Sequence, residues 1–90
     1  MKTGIELITD ERDKQVLKHG RTIELDVKYN SEKQLSTAAK RLLEFAPRET
    51  GRPMNWNIDI WDKLTKKDYK ERLIIAGALI AAEIDRLQNQ

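Results

Sequence analysis

Leu73-Ile74-Ile75-Ala76-Gly77-Ala78-Leu79-Ile80-Ala81-Ala82-Glu83-Ile84-Asp85-Arg86-Leu87 is the stretch that decides the fold. From Leu73 to Ala82 no side chain is polar. A helix that is apolar on every face must be buried on every face, in a core, a bilayer or an interface. The run is half the ~20 residues needed to span a bilayer, so no membrane is implied. A chain of 90 residues has little interior in which to hide such a helix. Two solutions remain: the other helices wrap around this one, or a second copy of the chain completes its burial. Gly77 and Ala81, with Ala78 and Ala82 beside them, permit close helix approach. A Gly77→Leu change is therefore expected to disrupt assembly or folding.

Composition narrows the class. The length suits one domain, residues 1–90, near the size at which a single core is only marginally sufficient. Hydrophobic residues make up 39% and charged residues 36%, a balance that suits a helical globular protein rather than a disordered one. The net charge of +2 falls short of the concentrated basic charge of a strong DNA binder. With no cysteine there is neither a disulfide nor a thiolate metal site. Asp10, Glu11, Arg12 and Asp13 interrupt the N-terminal segment before any apolar signal core forms. A cytoplasmic protein is expected.

Three helix starts share one chemistry. Thr3 with Glu6, Ser31 with Gln34 and Thr65 with Asp68 each place a hydroxyl residue three before an acid or amide, the capping-box spacing or a close variant. The first helix is predicted from Gly4 to His19, ending at Gly20. The second runs from Glu32 to Ala46, ending at Pro47, with Leu35, Ala38, Ala39, Leu42 and Ala46 on one face. The third runs from Lys66 to the C-terminus. A turn-rich, tryptophan-flanked loop from Pro47 to Asn55 and a short helical turn from Ile58 to Leu64 lie between them. The expected architecture is all-α: a compact bundle of three main helices with a Trp-bearing loop and one extended segment. That segment is Thr22-Ile23-Glu24-Leu25-Asp26-Val27-Lys28-Tyr29, where apolar and polar residues alternate as in a half-buried strand. An isolated strand leaves backbone groups unsatisfied, so an extended plug inserting Ile23, Leu25 and Val27 between helices is expected.

Polar residues on apolar faces are the candidate site. At about 100° per residue the first helix puts Arg12, Gln15 and His19 beside Ile5, Ile8 and Val16, with Glu11 at the edge. On the last helix Glu83 falls between Leu79 and Ile80, while Asp85 points elsewhere. Buried charges need partners, which predicts an Arg12–Glu83 pair. Such a pair is commonly structural, fixing helix register. In the sharper reading Glu11, Arg12, Gln15 and Glu83 floor a polar pocket.

Glu11, Arg12 and Gln15 form E-R-x-x-Q; Gly20, Thr22, Glu24 and Asp26 follow; then come Trp56 and Trp61, and the closing run from Ala76 to Leu87. On these residues the chain resembles a group of small phage, prophage and mobile-element proteins. Their pattern is E-R-x-x-Q, then G-W-T-x-E-H-D-D, a tryptophan-bearing loop, and A-G-A-L-I-x-A-E-I-x-R-L. The resemblance covers nearly the whole chain and is most specific in the closing helix. This chain departs from it at Arg21, where the pattern has tryptophan, and at Leu25 and Val27, where it has a histidine and an aspartate. The most metal-like segment has thus lost two donors.

Three functions follow. The preferred one is a phage- or mobile-element-type accessory protein. It forms a homo-oligomer and binds a small phosphorylated, nucleotide-like ligand without catalysis and without a cofactor. Arg12, His19, Arg21, Arg48 and Arg52 would grip the anion and Trp56 would stack on a base. The plainer role for Trp56 and Trp61 is core packing. The alternative is a magnesium-dependent, MazG-like nucleotide pyrophosphohydrolase in which Glu11, Glu24, Asp26 and Glu83 hold the metal. The paired E-x-x-E and E-x-x-D spacings of such enzymes are absent, and Glu83 and Arg86 stand at that spacing instead. The third is a protein-interaction module, or a nucleic-acid binder using Lys63, Lys66, Lys67 and Lys70 on one helical face. Nucleic acid is the least favoured partner, because Asp62, Asp68 and Glu71 dilute that charge.

Overall fold

Thr3 opens the first helix as its spacing predicts. In the computed structural model, which describes residues 1–44 and 51–90, Thr3 Oγ1 accepts from the Glu6 N–H at 3.2 Å. Glu6 Oε1 accepts in return from the Thr3 N–H at 2.9 Å. Helix α1 (Gly4–Leu17) follows from this box. It stops two residues short of His19, and Gly20 turns the chain at φ +65°, a conformation glycine adopts without strain.

The next segment overturns the extended-plug expectation. Residues Ile23–Tyr29 form a helix, α2, with the Thr22 hydroxyl accepting from the Leu25 N–H at 3.3 Å. Leu25 is 44% exposed, whereas Asp26 is only 2% exposed. Two causes favour the helix. A threonine cap with Glu24 and Asp26 in the first turn stabilises a short helix locally, and an unpaired strand has no ladder to satisfy its backbone.

Helix α3 (Gln34–Leu42) starts later and ends earlier than predicted. Ser31 does not cap it. Lys33 enters in the left-handed region at φ 64°, and the Gln34 side chain accepts from the Glu32 N–H at 2.8 Å instead. Ala46 and Pro47, placed in the predicted second helix and at its stop, lie outside the described residues. Helix α4 (Ile58–Thr65) is capped by Asn57, whose Oδ1 accepts from the Ile60 N–H at 3.0 Å. Helix α5 (Tyr69–Gln88) is capped by Asp68, not by Thr65. Thr65 instead closes α4, donating to the Asp62 carbonyl. The turn at Lys66–Asp68 between the two helices also divides the predicted lysine face, since Lys63 belongs to α4 and Lys70 to α5.

Five helices among the described residues thus stand where three main ones were expected. The fold is all-α and compact, with a radius of gyration of 12.4 Å against about 12 Å for a folded chain of this length. No helix among the described residues is long and apolar enough to cross a membrane. Helix α5 is the axis, with α1, α2 and α3 packed on it. Leu35, Ala38, Ala39 and Leu42 of α3 meet Ile75, Ala76, Leu79 and Ala82 of α5, and Trp61 of α4 completes the core. Alanine on both helices lets the axes approach closely. On another side, Gly77 receives Ile8 of α1 so tightly that an added Cβ would stand 2.6 Å from Ile8 Cδ1.

Arg72 ties α5 to the end of α3. Its Nη1 donates to the carbonyls of Leu42 (2.9 Å) and Glu44 (2.7 Å), and its Nε to that of Lys67 (3.1 Å). A buried guanidinium therefore satisfies carbonyls that the last turn of α3 leaves open, at the negative end of its dipole.

Candidate functional site

The α1–α2 turn, α2 and the segment leading into α4 enclose a cleft of about 410 Å³. That volume falls in the range of small-molecule sites, roughly 300–1,000 Å³. Its floor and walls include Leu25, Asp26, Tyr29, Asn30, Leu35, Trp56 and Ile60, and His19 and Arg21 line it from the α1–α2 turn. Gly20 makes this geometry: its positive φ reverses the chain so that His19 and Arg21 flank one opening. Asn55, at φ 67°, and Asn57 line the side that leads into α4.

A relay of hydrogen bonds holds the cleft. Trp56 Nε1 donates to Asn30 Oδ1 at 2.9 Å, and Asn30 Nδ2 donates to Asp26 Oδ1 at 2.8 Å. The Arg21 guanidinium lies 5.5 Å from the Trp56 ring centroid, a cation–π contact. Trp56 meets Trp61 edge-on, at 6.1 Å and 79°. Trp61 is core, as expected, and Trp56 is half-buried, packed against that core and forming a wall of the cleft.

Asp26 is the hinge of the electrostatics. Burial pushes its carboxyl above the ordinary value, with Glu83 adding to the rise. The Asn30 hydrogen bond and the Arg12 and Arg21 charges oppose it. Its Oδ2 is buried and meets no hydrogen-bond partner among the described residues. Burial also depresses Arg21 from its ordinary value, against the pull of Asp26 and Glu11. The cleft therefore offers a cation at its wall, while the unpaired Asp26 oxygen is closed to solvent.

Behind Asp26 lies the polar cluster foreseen on α1 and α5, wired differently. Arg12 does not pair with Glu83. Its Nη2 reaches Asp85 at 3.3 Å, while Nε and Nη1 are buried without a partner among the described residues. Glu83 pairs with Arg86 one turn along its own helix, which holds the Arg86 guanidinium above its ordinary value. A partner three residues away on one helix is reachable without any particular alignment of α1 on α5. Glu11 accepts from Gln15 at 3.4 Å. Glu11, Arg12, Gln15 and Glu83 thus do not floor the cleft; Asp26 and Arg21, which line it, couple electrostatically to that cluster.

The remaining candidates divide. His19, Arg21 and Trp56 are brought together. Arg52 donates to the Trp56 carbonyl and steadies that residue from outside the cleft. Arg48 lies outside the described residues. The four carboxylates considered for magnesium are not assembled as a donor set. Glu24 is exposed on α2, nearly opposite Asp26, Glu83 is held by Arg86 and Glu11 by Gln15. No group of three or more His, Cys, Asp or Glu side chains among the described residues is arranged to hold a metal. The residues present do not fit a magnesium site.

Tyr29, Asn30 and Ile60 were not foreseen as cleft residues. Asp26 and Asn30 stand four apart, a pairing signal only if the segment is helical; read as extended, it hides them. Compared with models of known families, with characterised proteins and with solved structures, the chain matches none.

Proposed function

We propose that this protein binds a small anionic ligand of nucleotide size in the cleft between α2 and the segment leading into α4, without turning it over. Its role is that of the phage- or mobile-element-type accessory protein that the sequence resemblance implies. The observation that carries the reading is the convergence of Arg21, His19 and Trp56 on one cleft. A phosphate would meet Arg21 and His19 at the opening, where both can donate hydrogen bonds. A planar ring would lie against the Trp56 and Tyr29 side of the cleft. Of the carboxylates an enzyme would need for a metal, Glu83 is held by Arg86, Glu11 by Gln15 and Asp26 Oδ1 by Asn30, and Glu24 stands exposed on the other side of α2.

The test is calorimetric titration of the purified chain with nucleoside monophosphates, nucleoside triphosphates and inorganic phosphate, with product analysis afterwards. At least one nucleotide should bind and be recovered unchanged. Arg21→Ala and Trp56→Leu should each weaken it by tenfold or more, equivalent to about 1.4 kcal/mol. No binding by any of the nucleotides, or recovery of a hydrolysed product, would reject the reading.

A further inference from the structure

The indole of Trp56 can only donate a hydrogen bond, and an ionised carboxylate such as Asp26 can only accept one. Asn30 stands between them with a group of each kind. Its Oδ1 accepts from Trp56 Nε1 at 2.9 Å, and its Nδ2 donates to Asp26 Oδ1 at 2.8 Å. Both ends demand the same orientation of the amide. A flip would set donor against donor at Trp56 and acceptor against acceptor at Asp26. Asn30 is itself held twice, because its backbone N–H donates to the Asp26 carbonyl at 2.9 Å where α2 ends. The tie joins α2 to the segment leading into α4 across 26 residues of sequence.

The other contacts of Trp56 are less directional. Its packing against the core is apolar burial, which has no preferred direction. Arg21 lies over the ring and Trp61 meets it edge-on, while Arg52 holds the backbone carbonyl and not the ring. Among the described residues, the bond to Asn30 therefore selects which edge of the indole faces α2.

We infer that Asn30 is a positioning residue of the cleft: anchored by Asp26, it holds Trp56 as a preformed wall for the ring of the ligand. Its part in binding rests on the ligand reading above; its hold on Trp56 does not. A wall already ordered spares the cost of fixing a large side chain when the ligand arrives. Asp26, only 2% exposed, acts through Asn30 rather than on the ligand. The phosphate end is built from His19 and Arg21 on the α1–α2 turn and does not need the tie.

The test reads the indole N–H signals of the two tryptophans in the full chain by nitrogen-edited NMR, with Trp56→Leu assigning them. Exchange of the Trp56 indole proton with water should quicken by about tenfold in Asn30→Leu, as the loss of one hydrogen bond permits. Asp26→Leu should quicken it as well, although that residue is not the indole's acceptor. Asp26→Asn keeps the Oδ1 acceptor and should leave exchange near wild type, which separates positioning from the loss of a charge. Circular dichroism and the thermal midpoint report folding, and Asn30→Ala takes the place of the leucine variant if that one unfolds. In calorimetric titration, adenosine monophosphate should bind Asn30→Leu about tenfold more weakly than wild type. Inorganic phosphate should bind the two equally.

Unchanged indole exchange in Asn30→Leu overturns the hold on Trp56. Exchange as fast in Asp26→Asn as in Asp26→Leu overturns the anchoring by the Asp26 acceptor. Quickened exchange with unaltered adenosine monophosphate affinity overturns the part in binding, and equal losses for adenosine monophosphate and phosphate overturn its assignment to the ring. If adenosine monophosphate does not bind the wild type, the part in binding falls with the ligand reading, and the exchange rates still decide the hold on Trp56.

Discussion

Arg72 and Asp26 are both buried, and their environments give them opposite roles. Arg72 spends three N–H groups on backbone carbonyls at the end of α3 and before α5. Hydrogen bonds from a charged donor contribute about 1.5–3 kcal/mol each, and their loss leaves buried carbonyls unsatisfied. Arg72→Met should therefore lower the unfolding free energy by roughly 2–4 kcal/mol. Urea denaturation would show a shifted midpoint with an unchanged slope; a shift below half a kcal/mol would discount the tie. Asp26 is a different case, because its folded-state pKa is raised above the ordinary 3.8. The folded chain then holds the proton more tightly than the unfolded chain. The contribution of this group is most favourable below the ordinary value and declines as pH rises through the raised one. Asp26→Asn keeps the Oδ1 acceptor used by Asn30 but cannot ionise. The stability of the variant relative to wild type should therefore increase from acid to neutral pH in parallel urea titrations, and a difference independent of pH would contradict it.

Among the elements, α2 and α5 are the informative ones. The sequence of α2 alternates like a strand, but seven residues make too few turns for period to separate the two conformations. The cap carries the distinction, and it is local. Thr22→Ala should lower stability by about 1 kcal/mol, and it should perturb the cleft because Asp26, Tyr29 and Asn30 all follow that helix start. Amide exchange would read both effects: faster exchange confined to α2 is expected, and uniform protection would refute the argument. On α5, the close approach at Gly77 is used within the chain, by Ile8. An alanine there gains about 1 kcal/mol of helix propensity but crowds Ile8 at Cδ1 (2.6 Å) and Cγ1 (3.0 Å), so Gly77→Ala should be destabilising, but less so than a larger side chain. Gly77→Leu should cost roughly 1–3 kcal/mol or more by overpacking against α1. Equal thermal midpoints for the two variants would show that α1 is not held there. The leucine variant consequently reports on folding before it reports on assembly.

For the whole molecule, one long helix carries the fold and leaves one of its sides uncovered. Three helices pack on α5, yet α1 and α3 do not meet over Leu73, Ile80, Ile84 and Leu87. The cleft lies on other elements, so ligand affinity should be unchanged in a variant with Ile80→Glu and Ile84→Glu; a loss of affinity in calorimetric titration would show that this side of α5 shapes the cleft.

The sequence by itself determined the helical class, the start of α1 through Thr3 and Glu6, the alanine face of α3, and the dominance of the apolar run in α5. Each is written in residues within a turn or two of one another, where capping and periodicity act. It also brought His19, Arg21 and Trp56 forward as candidates, because cations and aromatics in irregular segments are visible as residue types. Only the tertiary structure decided which of them share a cleft, that Asp26 floors it, and that Arg72 closes α3. It also decided that Arg12 takes Asp85 while Glu83 takes Arg86. These outcomes depend on how far one helix slides along another, and that displacement is set by side-chain packing between distant segments rather than by any local pattern.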